Sequence, residues 1–205
     1  MNITDIFEYL GTFAFAISGI RFAAAKRFDW FGAYVVGFAT AIGGGTIRDV
    51  LLDTTPFWMN NANCLICTAV ALLTVIVFRK YIVKFNRTLF VFDAIGLSFF
   101  TIVGMQKSID FGQPFWVAMI MGVLTGCAGG IMRDVLINDV PIVFKKEIYA
   151  MASVFGGIVF YVCWRLGMSL MFAEIAGAVA VFALRVYSVM KNIDLPQMKE
   201  EEHDE

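Results

Sequence analysis

Charged residues are scarce in this 205-residue chain, because Asp, Glu, Lys and Arg together make up only 16% of it. Hydrophobic residues make up 60%, and the mean hydropathy is +0.76. A soluble domain of this size needs far more polar surface than such a composition supplies. The sequence therefore excludes a water-soluble globular protein and predicts that most of the surface faces lipid.

Excess basic charge and clustered metal ligands are also missing. The formal net charge is −1, so we expect no nucleic-acid partner, since such a partner requires a basic face. The single histidine, His203, lies near the C-terminus, and the pair Cys64-x-x-Cys67 has no second pair beside it. A metal site is therefore not expected. No pattern pairs a nucleophile with a general base, so the sequence predicts neither an enzyme nor a cofactor.

Long apolar segments recur along the whole chain, each close to the roughly 20 residues that cross a membrane as a helix. Short polar connections separate them and leave no room for a soluble domain. The pattern predicts an all-α membrane protein with seven transmembrane helices in one domain, residues 1–190, and a polar acidic tail at 191–205. The predicted spans are 3–24, 30–53, 63–83, 88–107, 114–138, 147–166 and 169–190.

Lysines and arginines are distributed unequally between the two ends of the predicted spans. Twelve lie on one side, whereas only Lys107 and Arg165 lie on the other. The positive-inside rule makes the richer side cytoplasmic, which predicts an N-terminus outside and a C-terminus in the cytoplasm. The twelve are Arg21, Lys26, Arg27, Arg79, Lys80, Lys84, Arg87, Lys145, Lys146, Arg185, Lys191 and Lys199.

The chain repeats itself at a shift of 85 residues. Residues 43–52, GGGTIRDVLL, fall on residues 128–137, AGGIMRDVLI, without a gap. Matched glycines, prolines and charges rarely arise by chance from an apolar composition, so we infer two repeats, at about 3–83 and 88–166. The same shift also pairs Gly11 with Gly96, Gly19 with Gly104, Gly37 with Gly122, Thr40 with Thr125, Pro56 with Pro141 and Glu8 with Asp93.

Each repeat contains three spans, an odd number, so the second repeat must cross the membrane upside down relative to the first. Inverted repeats are typical of transporters and some channels, whose sites lie near mid-membrane where the repeats meet. The glycines at 43–45 and 129–130 fall at that depth, where they can kink or unwind the second and fifth helices. Tight helix crossing through small residues is the other interpretation of these glycines.

Few charges lie inside the predicted spans, and each is expected to face the bundle interior because a charge in lipid is costly. The repeat symmetry nominates two ion pairs, Glu8 with Arg48 and Asp93 with Arg133. The intramembrane charges are Glu8, Arg48, Asp49, Asp93, Arg133, Asp134 and Glu174.

Three of these carboxylates have no partner assigned by the symmetry. Asp49 and Asp134 are interpreted equally well as partners of arginines on another helix or as hydrated groups near span ends. Glu174 lies outside the repeat and is interpreted as an interfacial or packing charge. The small-residue stripes Ala173-x-x-x-Gly177 and Ala176-x-x-x-Ala180 suit contact with another helix.

These motifs resemble one known family. The segments at 43–52 and 128–137, together with the stretch from Val140-Pro141 to Glu147-Ile148-Tyr149-Ala150, are similar to the prokaryotic TRIC (trimeric intracellular cation) channels. The resemblance covers about residues 5–166. It implies a homotrimer in a bacterial or archaeal plasma (inner) membrane, surrounded by lipid. It further implies one potassium-permeable pore inside each subunit, lined by the first two helices of each repeat and kinked at the glycines.

The expected function is therefore a monovalent cation channel, with potassium as the permeant ion. A secondary transporter of a small solute such as glycine is the alternative, because the ends of an unwound helix attract a cation and a carboxylate alike. The candidate pore-lining or gating residues are Glu8, Thr40, Gly43, Gly44, Gly45, Thr46, Arg48, Asp49, Asp93, Ser98, Thr125, Gly129, Gly130, Arg133 and Asp134.

Overall fold

A computed structural model describes residues 2–60, 62–78, 86–145 and 148–193, and within them the chain forms seven α-helices and two short 3-10 turns. This confirms the predicted all-α fold of seven helices. The predicted tail beyond residue 193 lies outside the described residues, as does the predicted end of the third span at 79–83. The helices are α1 (Ile3–Ala25), α2 (Trp30–Leu51), α3 (Asn63–Val77), α4 (Asn86–Asp110), α5 (Phe115–Leu136), α6 (Ala150–Arg165) and α7 (Leu170–Lys191).

The helices fall into two length classes. Five of them, α1, α2, α4, α5 and α7, are long and apolar enough to cross a membrane. The other two are shorter, with 15 residues in α3 and 16 in α6. Both short helices occupy the third place in a repeat, so the difference in length follows the duplication.

The duplication is preserved in the backbone as well as in the sequence. Shifting α2 by 85 residues gives the bounds of α5, and the 3-10 turn Phe57–Met59 maps onto the turn Ile142–Phe144 in the same way. Even rare backbone conformations repeat, because Asp53 at φ 54° corresponds to Asn138 at φ 55°. A left-handed residue closes the C-terminal end of each second helix.

The two repeats meet mainly along two contacts, α1 with α4 and α2 with α5. Phe15 of α1 and Phe100 of α4 occupy equivalent positions of the repeat, and their rings stack with centroids 5.4 Å apart. Both are almost fully buried in the main hydrophobic core. The pseudo-twofold axis of the fold therefore passes through this pair and through the α2–α5 crossing.

The seventh helix packs against α6 and α4. A Cβ at Gly177 would lie 2.7 Å from the Ile102 side chain and 2.8 Å from that of Phe160, so this stripe is used inside the subunit. The parallel stripe of Ala176 and Ala180 is only half-buried. Of the two stripes found in the sequence, only the second has a surface left for another chain.

Candidate functional site

The glycine motifs lie where α2 crosses α5. A Cβ on Gly44 would stand 2.0 Å from the carbonyl oxygen of Thr125, and a Cβ on Gly129 would stand 2.3 Å from the carbonyl oxygen of Thr40. Both helices remain α-helical through the motifs. The expectation of unwound segments is therefore wrong for this conformation, because the missing side chains let two intact helices touch through their backbones.

The threonines at the α2–α5 crossing, Thr40 and Thr125, are buried and belong to the same helix contact. The hydroxyls of Thr40 and Thr125 each donate to the carbonyl four residues earlier in their own helix, at 2.6 Å in both cases. Each hydroxyl also faces a glycine of the neighbouring helix, Gly19 for the first and Gly104 for the second. With their hydrogen bonds satisfied within the helix, these side chains need no other partner in this conformation.

Glu8, Arg48, Asp49 and Lys107 come together in what we call the first cluster. The Arg48 guanidinium is fully buried, with Nη2 3.3 Å from Glu8 Oε1, and its Nε donates to Asp49 Oδ1 at 2.7 Å. Lys107 Nζ donates to the same Glu8 oxygen at 2.7 Å. Two cations and two carboxylates therefore balance in formal charge.

Asp93, Arg133, Asp134, Ser18 and Tyr149 form the second cluster. Arg133 Nη1 donates to Asp93 Oδ1 and, at 2.9 Å, to Ser18 Oγ, whereas its Nε donates to Asp134 Oδ1 at 2.8 Å. The Tyr149 hydroxyl donates to Asp93 Oδ1 at 3.4 Å. This cluster carries one cation and two carboxylates, and the arginine and both acids are at most 2% exposed.

Both ion pairs nominated by the repeat symmetry, Glu8 with Arg48 and Asp93 with Arg133, are present and confirmed. Asp49 and Asp134 match neither of their two interpretations, because each binds the arginine just before it in its own helix and is 2% exposed.

The outer oxygens of these two aspartates explain their placement. Asp49 Oδ2 accepts the backbone N–H of Phe57 at 2.7 Å, and Asp134 Oδ2 accepts that of Ile142 at 2.9 Å. Phe57 and Ile142 begin the equivalent 3-10 turns of the two repeats. Each aspartate thus ties its arginine to the connection that follows the helix.

Sequence reasoning missed the side chains that complete the clusters at positions where the repeats differ. The sequence identifies Lys107 only as a charge at a span end. At a shift of 85 it falls on Phe22, whose ring covers the Arg133 guanidinium at 4.1 Å from the ring centroid. Tyr149 likewise falls on Cys64. The difference between the two repeats at these positions was the signal in the sequence that the side chains around the matched charges are not equivalent.

Two arginines counted as flanking charges lie inside the bundle instead. Arg21 is 3% exposed and Arg185 is 1% exposed. The Arg185 guanidinium stacks over the rings of Phe90 and Tyr149, at 5.1 and 4.8 Å from their centroids, which places a second positive charge beside the second cluster. Long stems let arginines near helix ends turn inward, so both side chains are buried although they lie near the ends of their helices.

Of the remaining candidates, Gly130 borders the second cluster at Tyr149 and Arg133. Thr46 accepts a hydrogen bond from Trp58 Nε1 at 3.0 Å, and Ser98 lines an apolar groove between α1, α4 and α7. The other motif glycines contact side chains: a Cβ on Gly43 would meet Met132, one on Gly45 would meet Phe57, and one on Gly130 would meet the Tyr149 hydroxyl.

The fold and the site together define a polytopic helical membrane protein built from two inverted repeats, with buried arginine–carboxylate clusters between them. The family model described as "Glycine transporter" matches residues 5–80 and, a second time, residues 90–165. The chain belongs to this family, and the double match is the duplication seen in the sequence and the backbone.

Relatives and solved structures agree over nearly the whole chain. The UPF0126 inner membrane protein YadS of Escherichia coli (strain K12) is 38% identical over 192 residues, covering 92% of this chain and 93% of the relative. The TRIC trimeric intracellular cation channel orthologue from Rhodobacter sphaeroides superposes with a TM-score of 0.87 at 32% identity, covering 94% and 100%. A further TRIC cation channel structure gives 0.84 at 34%, covering 96% and 98%.

Proposed function

We propose that this protein is a potassium-permeable monovalent cation channel, a homotrimer with a separate pore in each subunit. The observation that carries the proposal is the pair of buried arginine–carboxylate clusters related by the repeat. Arg48 and Arg133 each follow a crossing glycine by four residues, about 6 Å along the helix axis. Because the repeats are inverted, the two clusters stand on opposite membrane sides of the α2–α5 crossing.

The electrostatics of these clusters suit a cation path. A bare arginine would repel a potassium ion at the low effective dielectric of the bundle interior. Here each arginine has two carboxylates within hydrogen-bonding range or close to it, so the fixed positive charge is matched or exceeded. The proposed path runs between α1, α2, α4 and α5, the helices that supply these groups.

The described conformation corresponds in this proposal to a closed channel. Arg48 and Arg133 are 0% exposed, and the contacts of Gly44 and Gly129 leave no space between α2 and α5 at the crossing. Conduction then requires the two helices to separate there. The glycines permit that separation because they resist bending less than other residues, and the predicted kink belongs to the open state.

The membrane orientation follows from the positive-inside rule, with the N-terminus outside and the C-terminus in the cytoplasm. Two exposed loop positions test it, Lys26 for the cytoplasmic side and Asn60 for the outside. In intact cells, a membrane-impermeant thiol reagent should label Asn60→Cys but not Lys26→Cys, and cell lysis should expose the second. Labelling of both in intact cells would contradict the orientation.

The homotrimer is supported by the likeness to channels that are themselves trimeric. The half-buried stripe of Ala176 and Ala180 on α7 offers one surface for it. Light scattering of the detergent-solubilised protein, corrected for bound detergent, should give three times the 22.8 kDa of one chain. A monomeric or dimeric mass under conditions that preserve function would contradict this assembly.

Reconstitution into planar bilayers is the decisive experiment. A channel passes many ions per opening, so purified protein should give unitary currents that reverse at the potassium equilibrium potential when potassium is the only cation in a gradient. The family description points to a carrier as the other outcome. Bilayers without current, together with saturable glycine counterflow in liposomes of the same preparation, would contradict the channel and support a transporter.

A further inference from the structure

A cavity of about 320 Å³ lies where the chain turns from α1 into α2. The buried residues that line it are apolar: Ile20 of α1, Ala33 of α2 and Val75 of α3, each at most 4% exposed. Its volume falls within the roughly 300 to 1,000 Å³ that is typical of ligand pockets. The exposed residues that line it, which we call the mouth, are Ala24, Arg27, Phe28, Asp29 and Trp30.

The mouth carries two opposite charges. Within the described part of the chain, Arg27 forms no ion pair. Asp29 Oδ1 accepts the backbone N–H of Gly32 at 2.7 Å, where α2 begins, and its second oxygen accepts no hydrogen bond from the described residues. Trp30 is 56% exposed, and aromatic rings of this kind are typical of the membrane surface. The mouth therefore suits a ligand at that surface which carries both signs of charge.

Arg27 has a backbone conformation that favours glycine. Its φ is 63°, and the residue equivalent to it in the second repeat is Gly112, at φ 74°. An arginine costs conformational energy in this turn that a glycine avoids. The turn alone does not call for an arginine, which indicates a role for its side chain. The other described residues at positive φ are all Gly, Asn or Asp, namely Asp53, Gly112, Asn138, Gly167 and Asn192.

The second repeat shows that the fold does not require small residues around this space. At a shift of 85 residues, Ala24 falls on Ile109 and Val75 falls on Phe160. Phe160 is 0% exposed, so its ring is packed inside the bundle. The first repeat has the smaller side chain at both positions, and this leaves room for a ligand.

We propose that this cavity binds a membrane phospholipid with a zwitterionic headgroup, phosphatidylethanolamine. Arg27 holds the phosphate by charge-assisted hydrogen bonds, and Asp29 accepts the ammonium group. The carbon atoms next to the headgroup enter the apolar part of the cavity, where their burial stabilises the bound lipid. Phosphatidylglycerol has the phosphate but no positive group for Asp29, so it binds less tightly. The bound lipid contacts all three helices of the first repeat.

Native mass spectrometry of the detergent-purified protein tests the site without any measurement of current, so it stands or falls separately from the proposed channel. Bound lipid is first removed by detergent exchange, and phosphatidylethanolamine or phosphatidylglycerol with the same acyl chains is then titrated. We expect one phosphatidylethanolamine per chain to stay bound under activation that removes other lipids. It should bind about tenfold more tightly than phosphatidylglycerol, since a hydrogen bond between charged groups contributes about that much.

Variants identify the residues that hold the lipid. Arg27→Gly, which installs the residue of the second repeat, should weaken phosphatidylethanolamine binding about tenfold without lowering the unfolding temperature of the lipid-free protein. Asp29→Asn keeps a good N-cap for α2 and should remove the preference between the two lipids. Ala24→Ile narrows the cavity and should weaken both. Lys191→Gln and Ala25→Ile are the controls, because they change exposed residues that do not line the cavity.

Three results would overturn the site. Undiminished phosphatidylethanolamine binding in both Arg27→Gly and Ala24→Ile would place the lipid elsewhere. Equal binding of the two lipids by the parent would contradict the pairing of Asp29 with the ammonium group. A lower unfolding temperature of lipid-free Arg27→Gly would show that the arginine serves the turn rather than a ligand.

Discussion

The two clusters are built from the same positions of the repeat, yet one is open to water and the other is sealed. In the first, Glu8 and Lys107 keep 16% and 27% of their side chains exposed, and the Arg48–Glu8 contact is 3.3 Å long. In the second, Asp93 and Asp134 are each only 2% exposed, and the Phe22 ring covers the Arg133 guanidinium. The duplicated motif supplies the charges, whereas unmatched residues of the opposite repeat decide whether water reaches them.

This contrast predicts which cluster breaks its ion pairs first when the channel opens. Glu8 holds two cations at once, so Arg48 is able to leave it while Lys107 stays bound. Among the described residues, Asp93 is bonded to Arg133 and, at 3.4 Å, to the Tyr149 hydroxyl. We expect the first cluster to rearrange when the channel opens and the second to anchor the fold.

Removing the arginines should give the largest effect. Arg133→Ala removes the cation that is bonded to two buried carboxylates and should lower the free energy of unfolding by about 3 to 5 kcal/mol. Arg48→Ala should lower it clearly less, because Lys107 still neutralises Glu8. Denaturant unfolding in detergent measures both. Equal losses for the two variants would contradict the distinction between the clusters.

The crossing glycines come next, and here the two repeats should respond alike. Gly44→Ala and Gly129→Ala each force a methyl group against a backbone carbonyl, which should lower the free energy of unfolding by about 1 to 3 kcal/mol and reduce current. Gly32→Ala is the control, since its new methyl group would meet chiefly the Asp29 side chain, at 3.0 Å. If both crossing variants were as stable as the parent, the close backbone contact could not be the reason for glycine at these positions.

A smaller effect is expected at Tyr149. Its hydroxyl contacts Asp93 in the second cluster, whereas the equivalent residue of the first repeat is Cys64. Tyr149→Phe deletes its contact with Asp93 and should lower the free energy of unfolding by about 0.5 to 1.5 kcal/mol. Tyr9→Phe is the control, because the Tyr9 hydroxyl accepts a hydrogen bond from Asn63 Nδ2 at 2.9 Å in an exposed setting. The control should lose less, and a larger loss there would argue against a special role for Tyr149.

The sequence was sufficient for the features that the two repeats share. Apolar runs predicted the seven helices. Superposing the repeats predicted Glu8 as a partner of Arg48 and Asp93 as a partner of Arg133, because equivalent residues of an inverted duplication occupy equivalent places. The close contact at Gly44 agrees with one of two interpretations of the sequence, which could not choose between them, since a glycine motif reads the same whether a helix bends at it or a neighbour fills the space. The contact of Lys107 was not predictable for another reason: the copies differ at this position, so the divergence marks the residue without identifying its partner.

The smallest change in stability, and the sharpest change in function, should come from Lys107. This residue is partly exposed, so Lys107→Gln should alter the free energy of unfolding by no more than about 1 kcal/mol. The change takes the first cluster from zero to −1, the formal balance of the second. A net negative charge in a partly hydrated vestibule concentrates cations there, so the unitary potassium current should rise.

Salt separates this electrostatic effect from a structural one. The rise should be pronounced near 0.1 M salt, where the Debye length is about 10 Å, and should shrink toward 1 M, where it is about 3 Å. Lys145→Gln, on an exposed loop, is the control and should leave the current unchanged. Adding Glu8→Gln to Lys107→Gln restores neutrality and should return the current toward that of the parent. A rise that is independent of salt, or that survives in the double variant, would show that Lys107 acts on the shape of the cluster rather than on its charge.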